Sequence, residues 1–309
     1  MALEHLLTVD DLDRETIERI VARAGSFAEV SGRDIKKVPA LRGRTVATLF
    51  YENSTRTSSS FELAAKRLSA DVIPIKAGGS SVAKGESLED TVRTLSAYGP
   101  EVIVLRAPWA GAGDMITRWT DAAVVNAGDG KREHPSQSLL DIYTLRRHFD
   151  SLEGKKIWIV GDILHSRVAR SNARAFRTMG AHVTLCGPPT LLPPQMGEAL
   201  GCEVTHDITG VDDADVIYTL RIQNERMNES FMPSLAEYVI GYQINSKRLG
   251  AKQLLMHPGP VNRGVELSAD VVGAPNSLIE QQVESGLVVR MAILYELLAG
   301  GKRQMGETA

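Results

Sequence analysis

Along this chain, short apolar runs alternate with segments whose apolar residues recur every three to four positions. The runs "TVATLFY" (45–51), "DVIPIK" (71–76), "EVIVLRA" (101–107) and "AAVVNAG" (122–128) are rich in β-branched residues and read as strands. After the first of them, Phe61, Ala64, Ala65 and Leu68 stand at i, i+3, i+4 and i+7, the stripe of an amphipathic helix. Helices are predicted at about 58–68, 86–98 and 111–120. Another runs from Pro135 and Ser136, which suit a helix start, to about Phe149. A polar, glycine-containing break, "DSLEGKK" (150–156), interrupts the rhythm. It resumes with "KIWIVGD" (156–162), a helix over about 165–179, "AHVTLCGP" (181–188), "DVIYTLR" (215–221) and "QLLMHPGP" (253–260). A long helix from about Ser277 to Leu298 closes the pattern.

Strands and helices in strict alternation favour parallel sheets covered by helices. At 309 residues the chain exceeds what one core usually serves. The predicted fold is therefore α/β, with two doubly wound parallel-sheet domains over residues 1–150 and 151–284 and the active site in the cleft between them. The last helix is apolar on one face, and periodicity does not choose its partner. Residues from about 285 to 309 are expected to pack back on the first domain.

Composition narrows the function. A net charge of −3, with 24% charged residues, argues against a general nucleic-acid binder, which normally carries a basic excess. No apolar stretch reaches the ~18–20 residues of a membrane-spanning helix. The acidic start "MALEHLLTVDDLD" lacks a signal-peptide pattern. Cys186 and Cys202 are too few for a disulfide framework and lack zinc spacing, so a reduced, cytoplasmic setting is expected.

Candidate chemistry clusters just after the strands, where open α/β sheets bind ligands. In "STRTSSS" (54–60), six of seven side chains carry a hydroxyl and the seventh is Arg56. The stretch opens a helix, so backbone N–H groups, the helix dipole, hydroxyls from Ser54, Thr55, Thr57 and the following serines, and a guanidinium fork could together hold a phosphate. The plainer reading is an N-cap followed by a polar turn. "GGSSVAKGES" (78–87) resembles a phosphate loop but runs Lys84-Gly85-Glu86 where that motif demands Gly-Lys-Ser/Thr; it is a glycine-rich loop presenting a lysine, or a mobile surface loop. His134 and Gln137 share one face at a helix start, where the histidine is either structural or a donor to a carbonyl oxygen. No metal spacing surrounds it. "IVGDILHSRVARS" offers only Gly161 of the three glycines a dinucleotide fingerprint needs, so no such cofactor is expected. Arg167 stands against the dipole at a helix start, which suggests an anionic partner. Arg221 and Gln223 in "LRIQNERM" form either a second carboxylate fork or surface pairs.

Taken in order, "FYENSTRTSSSFE", "SSVAKGESLEDT", "VLRAP", "NAGDG", "HPSQSLLD", "HSRVARS", "LRIQNER" and "MHPGPVNRGVE" resemble the catalytic chains of the aspartate carbamoyltransferase family nearly end to end. "STRT" is shared with ornithine carbamoyltransferases; the "KGES" loop, "LRIQ" and "HPGPVNRG" are the aspartate-type portions, and an ornithine-type "HCLP" or "SMG" segment is absent. The resemblance implies carbamoyl transfer from carbamoyl phosphate to L-aspartate in pyrimidine biosynthesis, with no cofactor and no metal. It implies that Ser54, Thr55, Arg56 and Thr57 hold the phosphate, that Arg106 bridges phosphate and carbonyl oxygen, and that His134 and Thr55 reach that oxygen. Gln137 and the backbone at Pro258, Gly259 and Pro260 would fix the carbamoyl NH₂, and Arg167, Arg221 and Gln223 the aspartate. Ser80 and Lys84 would come from a neighbouring subunit, making a homotrimer with a shared site; Lys84 would also meet aspartate. Regulatory chains or pathway enzymes are conceivable partners; nucleic acid and membrane are not expected. Two departures stand out: Ser58 occupies a position where many relatives carry a second arginine, and Gly259 replaces a bulkier residue before an expected cis Pro260. A transferase for another acceptor and a non-catalytic binding paralogue remain as alternative readings.

Overall fold

Thr45–Phe50 (β1) is buried at every residue after the first, as an apolar run inside a sheet covered on both faces should be. This computed structural model describes residues 3–52, 54–76, 85–223 and 234–299. The chain divides into two compact units, Met1–Tyr143 with Glu284–Ala309, and Thr144–Val283.

In the first unit β1 is joined by β2 (Asp71–Lys76), β3 (Val102–Ala107) and β4 (Ala123–Asp129). All pairings are parallel and the order is β2-β1-β3-β4. The chain leaves β1 on one side to make β2, then crosses back to lay β3 on the other. The carboxyl ends of β1 and β3 are therefore a topological switch point, where flanking loops diverge and leave a crevice. Register puts Phe50 beside Arg106 at that end. The helices are α1 (Arg14–Ser31), α2 (Thr55–Arg67), α3 (Leu88–Ser96), α4 (Ala112–Ile116) and α5 (Pro135–Arg146), with α10 (Ile279–Leu298) returning from the C-terminal part. Helix α1 was not among the expected elements, although Ile17, Ile20, Val21, Ala24 and Phe27 form a regular buried stripe. Within this unit Glu296 of α10 accepts from Arg19 Nε at 3.0 Å, and Tyr295 meets Phe27 edge to face. The predicted helix over 111–120 shrinks to five residues, because Gly111 enters it left-handed and Arg118 and Trp119 tighten onto i−3 carbonyls.

The second unit repeats the plan. Strands β5 (Lys156–Val160), β6 (His182–Cys186), β7 (Glu203–Thr205), β8 (Val216–Thr219) and β9 (Leu254–Met256) run parallel in the order β7-β6-β5-β8-β9. Its switch point lies between β5 and β8. Helices α6 (Arg167–Thr178), α7 (Gln195–Leu200), α8 (Leu235–Tyr242) and α9 (Ala269–Val272) accompany it. The three-residue β7 and the short α7 and α9 are below the length at which periodicity declares itself. Among the described residues no helix is long and apolar enough to cross a membrane.

Candidate active site

Helix α2 opens at Thr55, three residues before its apolar stripe suggested. Ser54 occupies the N-cap position, yet its side chain makes no capping bond. Its Oγ instead accepts from Arg106 Nη1 at 3.3 Å, while Arg106 Nε donates to Glu52 Oε2 at 3.1 Å. The ends of β1 and β3 are thus tied across the switch point. Thr55 and Arg56 stand exposed in the first turn, and Thr57 is buried. Ser58 and Ser60 are engaged within the helix itself. Because the helix has already begun, Ser58 and Ser60 fall in its second turn, where Ser58 donates to Glu62 and Ser60 to the Arg56 carbonyl at 2.7 Å.

His134, buried, precedes α5, and Gln137 N–H donates to its carbonyl at 2.9 Å. Its Nδ1 lies 3.5 Å from Ser136 Oγ. Behind it the fully buried Glu133 accepts from Thr8 Oγ1 and from Val9 N–H, and its own N–H donates to Asp129. The Gln137 amide donates from Nε2 to Asp141 Oδ1 at 3.1 Å.

In the second unit Gly161 has φ +130, and a Cβ there would lie 2.8 Å from the Leu220 carbonyl oxygen. Only glycine lets the ends of β5 and β8 approach so closely. The next residue, Asp162, is fully buried: it accepts from His165 N–H at 3.1 Å, faces His165 Nδ1 at 2.9 Å, and accepts from Gln223 N–H at 3.3 Å. One carboxylate therefore joins the turn that launches α6 to the segment bearing Arg221 and Gln223, both half-buried. Ser166 caps α6 by accepting from Ala169 N–H, and Arg170 donates to the carbonyls of Leu164 and Ser166. Arg167, buried, is the first residue of that helix. After β9 the Gly259–Pro260 bond is cis, as expected for this turn. His257 Nδ1 accepts from Gly259 N–H at 2.8 Å, so its proton sits on Nε2, which faces Glu266 Oε1 at 3.2 Å. Pro258 and Gly259 are half-buried and Pro260 is exposed.

Helix openings carry a further distinction. Helices α2, α5 and α6 have no acidic residue in the first turn. Each of the seven other α-helices among the described residues has at least one. Acids there normally complement the dipole; these three helices carry none in their first turns. Ser80 and Lys84 lie outside the described residues. Glu52, Asp141, Asp162, Glu266 and Arg290 escaped the reading of the sequence, since a buried carboxylate or guanidinium far along the chain from its partner leaves no local signal. Among the described residues no cluster of His, Cys, Asp and Glu is arranged to hold a metal ion.

Residues 4–147 match the family model described as the aspartate/ornithine carbamoyltransferase carbamoyl-P binding domain, and residues 153–297 the one described as the Asp/Orn binding domain. The chain belongs to the aspartate/ornithine carbamoyltransferase family. Among its relatives, the aspartate carbamoyltransferase catalytic subunit of Salinispora arenicola is 52% identical over 97% of this chain and 100% of its own length. That of Pelotomaculum thermopropionicum is also 52% identical, over 97% and 98%. The catalytic subunit of M. jannaschii aspartate transcarbamoylase superposes with a TM-score of 0.86 at 35% identity, covering 98% of this chain and 100% of that one. The Trypanosoma cruzi aspartate transcarbamoylase in complex with N-(phosphonacetyl)-L-aspartic acid gives 0.86 at 30% identity, over 96% of both chains. The carbamoyltransferase family models divide the sequence between the two sheets, with one switch point in each part.

Proposed function

We propose that this chain transfers the carbamoyl group of carbamoyl phosphate to the α-amino group of L-aspartate, releasing N-carbamoyl-L-aspartate and phosphate, in the cytoplasm and as a step of pyrimidine biosynthesis. The observation that carries the reading is the pair of switch points whose helices open without an acid and beside arginines. Aspartate-type relatives of about half-identical sequence support the choice of acceptor.

Both substrates are anions, and one pair of unit charges about 4 Å apart repels by roughly 4 kcal/mol near a protein surface. The chain answers with cations. In this reading Ser54, Thr55, Arg56 and Thr57 take the phosphate, Arg106 spans phosphate and carbonyl oxygen, and His134 donates to that oxygen. Gln137 and the backbone of Pro258, Gly259 and Pro260 hold the carbamoyl NH₂. Arg167, Arg221, Gln223 and Lys84 hold aspartate. The neutral amine nitrogen attacks the carbamoyl carbon, the C–N bond forms, and the C–O bond to phosphate breaks. The proton of the attacking nitrogen leaves with the departing phosphate. Orientation of the two reactants supplies as much as ~7–11 kcal/mol, and Thr55, Arg106 and His134 stabilise the oxyanion of the tetrahedral intermediate.

Phosphate release from carbamoyl phosphate tests this directly. L-Aspartate should accelerate it strongly and L-ornithine should not exceed the background hydrolysis; the reverse preference, or no acceleration by either, sinks the assignment. We further propose a homotrimer in which Ser80 and Lys84 serve the neighbouring site. Mixing inactive Lys84→Ala with inactive Arg56→Ala chains should then restore part of the activity, whereas proven chain exchange without recovery removes the shared site.

A further inference from the structure

The Gln137 side chain has two chemically opposite ends, and its partner decides which is presented to a ligand. A primary amide donates from nitrogen and accepts at oxygen, while an ionised carboxylate only accepts. Gln137 Nε2 meets Asp141 Oδ1 at 3.1 Å one turn further along α5. The NH₂ end is thereby committed to that oxygen, and Oε1 is the end left to receive a donor. Were position 141 neutral, the amide could turn over without loss.

Asp141 is fully buried, so water does not compete for the Gln137 amide. The guanidinium of Arg290 in α10 and the Asp141 carboxylate attract each other. Arg290 is itself buried, and its placement is built. Nη1 donates to Ser60 Oγ at 2.6 Å, and the guanidinium lies over the Phe61 ring, 5.1 Å from its centre. Gly286, one turn earlier, leaves the room: a Cβ there would lie 2.6 Å from Nη1. All of these residues belong to the first unit.

We infer that Asp141 is a positioning residue that fixes the Gln137 amide with its oxygen toward the ligand and so sets the preference for a carbamoyl over an acetyl phosphate. The inference rests on the proposed contact of Gln137 with the carbamoyl NH₂. That group donates hydrogen bonds; the methyl of acetyl phosphate, of nearly the same shape, does not. An acceptor held in one orientation rewards the first and is left unpaired by the second.

The test is the ratio of kcat/KM for carbamoyl phosphate to that for acetyl phosphate, with L-aspartate as acceptor and phosphate release as readout. Both numbers come from the same preparation, so partial misfolding cancels. The unaltered protein should strongly prefer carbamoyl phosphate. Asp141→Asn, of equal size, should lower the ratio at least about tenfold, chiefly by loss on the carbamoyl side. Gln137→Ala should lower it as far or further. If Gln137→Ala lowers the ratio and Asp141→Asn does not, the inference is overturned while the role of Gln137 stands. If Gln137→Ala leaves the ratio unchanged, or the unaltered protein shows no preference, the contact with the carbamoyl group falls and the inference falls with it.

Discussion

The Arg106 guanidinium joins Glu52 and Ser54 at the head of two neighbouring strands. A guanidinium presents a planar fork with fixed donor directions, which an ammonium cannot copy. Arg106→Ala should lower kcat by about 100- to 1000-fold, the usual effect of removing one oxyanion donor. Arg106→Lys should recover only a small part of it. Steady-state kinetics with both substrates varied decides the matter; near-full activity in Arg106→Lys would show that charge alone is used. At this scale arginines beside strands were legible in the sequence, because Arg106, Arg167 and Arg221 follow apolar runs or open helices. The carboxylate that Arg106 meets was not. Glu52 is one of many acids along the chain, and nothing local says that it meets a guanidinium 54 positions away.

Most long elements were legible, the 18-residue α1 excepted. The hydroxyl-rich start of α2, the Pro135 opening of α5 and the strand runs of both sheets all lie in windows of about ten residues, and helix and strand periods are properties of such windows. Gly286 is the exception that local rules misread. Glycine in a helix interior is destabilising by roughly 0.5–1 kcal/mol relative to alanine, so Gly286→Ala by itself should stabilise α10. The added Cβ instead meets Arg290 Nη1, which Ser60 and the Phe61 ring hold in place, and lies 3.4 Å from Leu140 Cδ2. The expected outcome is no gain in thermal midpoint and a shift in the carbamoyl-to-acetyl preference, read by calorimetry and by the same kinetic ratio. A midpoint higher by several degrees with unchanged kinetics would mean that the guanidinium moves aside freely.

For the molecule as a whole, folding is linked to pH through exposed carboxylates that accept hydrogen bonds. Asp13 is pulled below the ordinary value of 3.8 by the side chain and N–H of Thr16, Asp207 by the N–H and hydroxyl of Thr209, and Asp270 chiefly by Ser268. A carboxylate whose pKa is depressed on folding contributes stability that is fully present above its unfolded value and is lost as pH falls through the folded one. The thermal midpoint should therefore drop on acidification from about pH 5 to about pH 3. A variant carrying Asp13→Asn, Asp207→Asn and Asp270→Asn should drop less over that range; an equal drop would place the linkage on other carboxylates.

By itself the sequence determined that this is a parallel α/β protein in two parts, with hydroxyls and cations concentrated after its strands. Those properties follow from residue periods and helix-opening chemistry, which act over a few turns of chain. Strand order, and with it the two switch points, was decided only by the tertiary structure. So were the pairings of Gln223 with Asp162, 61 residues apart, and of Arg290 with Ser60, 230 apart. A hydrogen bond between distant residues is chosen by how whole elements pack, and a single chain of letters holds no local trace of that choice.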